Sequence, residues 1–204
     1  MINRLGGFFT EASFWIWRMM QLNWAWLAHI LLGGVVLGLF PATGALFATT
    51  RRWLHGELDL PIWKSFHTFY RINFWKMNGI GSVYLFLGAL LVFDLYLVTQ
   101  LKGIIALIST IVIITCLVIY VFSFFYMFSY YVHFEQTVKQ YLWQPFIITL
   151  ISLKQNILIG LGLTVIGFLL YQMPGLIPFA LGTLPAFWVM KVALNRFRQF
   201  RVNE

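Results

Sequence analysis

The sequence predicts an all-α fold, a polytopic membrane helix bundle, from three observations. Of its 204 residues, 61% are apolar and only 10% are charged, far below the roughly 25% charged residues of a soluble domain. The apolar residues also gather into stretches close to the roughly 20 residues that a helix needs to cross hydrocarbon. The mean hydropathy is +0.83 and the mass 23.8 kDa, so a single bundle fills the chain and leaves no room for a separate catalytic domain.

Five stretches are predicted to cross: residues 22–47, 78–99, 103–132, 156–171 and 174–190. The last two are short and separated by only Gln172 and Met173, which implies a tight hairpin; four crossings is the competing count. Ahead of the first stretch, Trp15, Ile16 and Met19 share a helical face, and the segment lacks a small-residue cleavage signature. It is expected to be a retained interfacial anchor rather than a signal peptide.

The formal net charge of +8 reports topology and anionic lipid rather than nucleic acid. Arg51, Arg52, Lys64, Arg71 and Lys76 fall in the first loop, Lys139 and Lys154 in the third, and Lys191, Arg196, Arg198 and Arg201 in the tail. With five crossings, this asymmetry predicts an external N-terminus and a cytoplasmic C-terminus. The nine tryptophans fall near the boundaries of these crossings, where an indole is at home.

The cytoplasmic loop, residues 51–77, is predicted to hold an amphipathic helix. Asp59 and Pro61 are suited to start it. Trp63, Phe66, Tyr70, Phe74 and Met77 recur at three- and four-residue steps, while Lys64, His67, Thr68 and Arg71 take the opposite face. Such a helix either lies on anionic lipid or docks a partner, with Arg51, Arg52, Lys64 and Arg71 as polar contacts and Trp63, Phe66, Tyr70 and Phe74 as apolar ones.

Gly34 and Gly38 have the four-residue spacing of close helix packing, as do Gly182 and Ala186. Pro41 interrupts the first apolar run and frees a carbonyl, for which Thr43 is a candidate partner. The prolines 174, 178 and 185 make the last crossing equally irregular, and two broken helices could line a cavity. The aromatic run 120–134 is expected to fill the core. Asp94 and His29 are the ionisable residues placed within spans, and two are too few for a proton or cation path.

Phosphate loops of the GxxxxGK(S/T) type, HExxH zinc helices, GxSxG elbows and cysteine clusters do not occur, and Cys116 is the single cysteine. A non-enzyme without cofactor or metal is therefore expected.

The segment FPATGALFA, followed by RRWLHGELDLPIWKSFHTFYRINFWKMNGIG, resembles the YesL-like family of small bacterial membrane proteins. The resemblance is most specific over residues 38–81. It implies a setting beside oligosaccharide-binding proteins and ABC importer permeases, and carries over no catalytic residue. The expected function is an accessory or regulatory subunit of a carbohydrate ABC importer, in contact with the permease, at the bacterial cell membrane. The alternative is a self-sufficient homo-oligomeric small-solute transporter or channel.

Overall fold

The computed structural model describes residues 2–201, and the side chains of residues 10, 11 and 13–199. The helices are α1 (Ile2–Leu32), α2 (Val36–Leu54), α3 (Ile62–Val98), α4 (Gly103–His133), α5 (Val138–Ile151) and α6 (Leu153–Gln172). A 3-10 turn (Pro174–Leu176) then leads to the short α7 (Ile177–Ala180) and to α8 (Thr183–Arg201). Among the described residues there is no strand.

Among the described residues three helices, α3, α4 and α6, are long and apolar enough to cross a membrane. A fourth crossing is available if the segment Pro174–Ala180 and α8, bent by 60° at their junction, count as one. The predicted count of five is not found, because residues 22–47 are not one helix. The chain turns at Gly33–Val35, where Gly34 and Val35 take φ of 69° and 67°, and the two sides fold back antiparallel. Trp26 Nε1 donates to Thr43 Oγ1 at 3.2 Å, and the Trp15 and Trp53 rings meet at 5.9 Å. A hydropathy pattern carries no direction, so a folded-back pair and a straight span look alike in it.

Gly33 and Gly38 make that turn possible. A Cβ on Gly33 would lie 2.3 Å from the Gly38 Cα, and one on Gly38 2.3 Å from the Ile30 oxygen. Pro41 stays inside α2 without ending it. The carbonyl it frees, that of Leu37, accepts from Asn78 Nδ2 at 2.9 Å. Thr43 bonds the Leu39 oxygen instead, so the partner for the proline break comes from α3.

A separate loop helix is not found: its residues are the first part of α3, which runs unbroken from Ile62 to Val98. Pro61, without a side-chain cap, precedes it. Asp59 accepts from Arg18 at 3.2 Å rather than capping amides. The segment between α4 and α6, expected as a loop, holds α5, opened by a capping box in which Thr137 and Gln140 satisfy each other's backbone.

The core lies where α2, α8 and the facing parts of α3, α4 and α5 meet, and it is mainly aromatic. Phe128 stacks on Phe47 at 5.5 Å and on Phe40 at 6.3 Å; Tyr84 stacks on Phe146 at 5.7 Å. Phe40 lies directly over Gly81, where a Cβ would come within 2.3 Å of the ring. The core-filling expectation for residues 120–134 holds for Ser123 and residues 126–131, which are buried.

Candidate functional site

Two features stand apart from simple packing. The first is an arm formed by the second half of α3 and the first half of α4. Past Tyr84, the only buried residue of α3 is Val98, and the first buried residue of α4 is Ser123. Between them Phe86, Val92, Phe93, Ile104, Ile108 and Ile111 are exposed. Asp94, on this arm, has no ion pair among the described residues.

The second feature is a cleft of about 690 Å³ at the opposite end of the α3–α4 pair. The C-terminal turn of α2 brings Arg51, one face of α3 brings Phe69, Asn73 and Lys76, the end of α4 brings Tyr131 and His133, and α5 brings Tyr141. The seven-residue step from Phe69 to Lys76 aligns them on one side of α3. Arg51 Nε donates to His133 Nδ1 at 3.2 Å, which leaves the His133 proton on Nε2. Tyr131 donates to Asn73 Oδ1 at 2.7 Å, and Tyr141 donates to the Phe134 oxygen at 2.8 Å. The Lys76 ammonium sits 4.7 Å from the Tyr141 ring centre and 5.4 Å from that of Tyr131, within the range of a cation–π contact. Among the described residues, Glu135 is the acidic one on the rim.

The structure disperses the residues predicted as a docking face. Phe66 and Tyr70 are buried inside the chain's own bundle, where their rings lie 4.9 Å and 5.0 Å from that of His29. Phe74 is half-buried and Trp63 is exposed. Lys64 and Arg71 remain exposed, and Arg52 bonds Glu57 at 2.8 Å. Arg51 alone of the eight reaches the cleft.

The small-residue positions are also used internally. Gly38 closes the α1–α2 turn, Gly182 lies under the Trp26 ring, and Gly34 supplies a positive φ with open space around it. A small, mainly apolar cavity of about 170 Å³ lies between Thr43 and Leu46 of α2 and Leu181, Gly182 and Pro185 of the bent segment. Asn23 fills the break, donating to the Pro178 oxygen at 2.7 Å and accepting from the Gly182 N–H at 2.8 Å.

Sequence reasoning missed Asn73, Lys76, Tyr131, His133 and Tyr141 as a group. They come from three helices and are joined only by the fold. The capping box at Thr137–Gln140 was the one local sign that a helix starts beside them.

This architecture defines a helical protein of membrane type. A family model described as "Protein of unknown function, DUF624" matches residues 19–95, which run from α1 through α2 into the arm of α3. Over 179 residues, 87% of this chain and 80% of the relative, the chain is 31% identical to "Uncharacterized protein YteU" of Bacillus subtilis (strain 168). It is 32% identical to "Uncharacterized protein YesV" of the same organism over 89% of this chain and 88% of that one. It is 30% identical to "Uncharacterized protein YesL" over half of this chain. The chain belongs to this YesL-like DUF624 family of uncharacterised proteins. No solved structure matches it.

Proposed function

We propose that this protein is a non-catalytic accessory subunit of the bacterial cell membrane that binds helices of another membrane protein through the arm, with a carbohydrate ABC importer permease as the partner. The observation that carries the reading is the arm itself, largely apolar and without a covering element among the described residues. Apolar surface alone does not prefer protein over lipid tails, so recognition needs a polar point or a close approach. Asp94 supplies the polar point, complementary to a cationic side chain on the neighbour. The identity of the partner rests on the family resemblance.

Orientation follows from the same geometry. With α3, α4, α6 and the bent α7–α8 segment as four crossings, both termini face the same side, as the antiparallel run of α1 and α8 also requires. Thr183 bonds the Met19 oxygen, and Phe187 meets Trp15 further toward both chain ends. Lys102, at the α3–α4 turn, is then the basic residue on the far side, and the positive-inside rule supports cytoplasmic termini. Five crossings would instead leave the N-terminus external.

Photo-crosslinking residues placed at Phe86 and Ile108 in the native host test the reading. Capture of a permease from both sites supports it. Capture of lipid alone, with no transporter subunit recovered after purification in mild detergent, overturns it. Labelling of Lys102→Cys from outside intact cells, in a Cys116→Ala background, checks the orientation separately.

A further inference from the structure

We infer that the α1–α2 turn, residues 31–39, is a shallow membrane anchor. It dips into the acyl layer of the leaflet where α3 begins its crossing, with the basic start of α3 against the headgroup phosphates. The inference is independent of the partner proposed for the arm.

The first observation is the composition of the turn. From Ile30 to Phe40 the run ILLGGVVLGLF has no polar side chain, whereas a turn in water is normally built from Gly, Pro, Asn, Asp and Ser. Val35 is held at φ 67°, a conformation that Asn or Asp takes readily and a β-branched residue avoids. A valine kept there indicates surroundings in which a polar side chain costs more than the strain. Leu31, Leu32, Val35, Val36, Leu37 and Leu39 are all exposed, so the turn presents an apolar tip that no described element covers.

The second observation is the backbone. The amides of Gly33, Gly34, Val35 and Val36 donate to the oxygens of His29, Leu31, Ile30 and Gly34 at 2.9–3.2 Å. The Leu37 oxygen, freed by Pro41, accepts from Asn78 Nδ2 at 2.9 Å. A turn bonded to its own chain in this way can leave water, which an open loop cannot.

The third observation is height. The Leu37–Asn78 bond and the packing of Phe40 on Gly81 set the turn beside residues 78–81 of α3, where the sequence places the start of that crossing. Trp75, one helical turn earlier, is 77% exposed and marks the headgroup layer. On the same part of α3, His67 donates to His29 Nε2 at 3.1 Å and shares a surface recess with Arg71. Lys64 and Arg71 are both exposed. The tip is therefore continuous with a span on one side and flanked by cations on the other, the arrangement of an interfacial anchor on anionic lipid.

The test uses the full chain in vesicles of phosphatidylcholine and phosphatidylglycerol, with nitroxide labels at Leu32→Cys and Val36→Cys in a Cys116→Ala background. Collision with oxygen, which gathers in hydrocarbon, is compared with collision with a water-soluble nickel chelate. Two references are read in the same vesicles. Native Cys116, exposed on the arm, reports lipid, and His55→Cys, exposed past the far end of α2, reports water. The oxygen-to-nickel ratio at Leu32 and Val36 is expected to be several-fold above that at His55 and no higher than that at Cys116. A ratio equal to that at His55 overturns the inference, because the tip then stands in water. Poor collision with both reagents also overturns it, because the tip is then covered by protein, whether a second copy or another part of the chain. Leu32 and Val36 are exposed, so labelling leaves the packing intact, and a circular dichroism melt of each labelled protein checks this.

Discussion

Helices α3 and α4 each pass through two surroundings, and the contrast between them separates what holds the protein together from what it offers to others. Around Gly81, Tyr84 and Phe128, glycines and rings interlock with α2, α5 and α8. Around Phe86, Ile108 and Ile111 the same two helices touch little but each other. Similar apolar composition thus gives a close-packed core in one place and an open surface in the other. Stability should be concentrated in the first region and binding in the second.

The largest way to test that contrast is Gly81→Leu. Its Cβ alone would come within 2.3 Å of the Phe40 ring, and overpacking of this kind costs about 3 kcal/mol, the upper end of the usual range. Thermal unfolding in detergent should show a collapse of the cooperative transition, whereas Ile108→Ala on the arm should shift stability by less than about 0.5 kcal/mol. A comparable loss from Ile108→Ala would mean that the arm is part of the core.

Next in size is Asn23→Leu. It leaves the Pro178 carbonyl and the Gly182 N–H, both now bonded to the Asn23 amide, without partners at a buried break. About 1–3 kcal/mol per group is at stake. Limited proteolysis should cut first between α7 and α8 in this variant. An unchanged cleavage pattern would show that the break is held by packing alone.

The smallest effect expected is a pH dependence at the contact between α1 and α3. His29 Nδ1 donates to the Ala25 oxygen at 2.8 Å, and Nε2 accepts from His67 Nδ1 at 3.1 Å. Burial is the main cause that holds His29 below the usual histidine value of 6.5; His67 acts in the same direction and the Ala25 carbonyl opposes it. The folded state therefore takes up this proton at lower pH than the unfolded chain does. The contribution is complete above pH 6.5 and is lost as the pH falls through the folded value. Melting temperatures should decline below pH 6.5, and His29→Gln should flatten that decline; an equal slope in both proteins would remove His29 as its source.

The legible parts of the fold were those where one property settles the answer. Helices α4 and α6 fall within a few residues of their expected bounds because a nearly uninterrupted apolar run has few alternatives in lipid. The α1–α2 turn was not legible by the same criterion, since Leu31, Leu32, Val35 and Val36 are as apolar as any span. Only the paired glycines 33 and 34, with Asn23 and His29 just before them, hinted that the run is interrupted. The three- and four-residue spacing over residues 61–77 pointed to a separate interfacial helix, whereas these residues open the long α3. Its apolar face found His29 and Gly44 before it could find lipid. The cleft was the least legible feature, because Arg51, Lys76, His133 and Tyr141 are separated by tens of residues and meet through tertiary structure alone.

The unbroken run of α3 has a consequence for the silhouette of the molecule. At 1.5 Å per residue, 37 residues make a rod about 55 Å long, while the hydrocarbon slab accommodates roughly 30 Å. Even with a generous tilt, close to a third of the rod must stand clear of the acyl chains. Helices α1, α2 and α5 gather around the first part of α3, while its second part runs beside α4 with its other faces exposed.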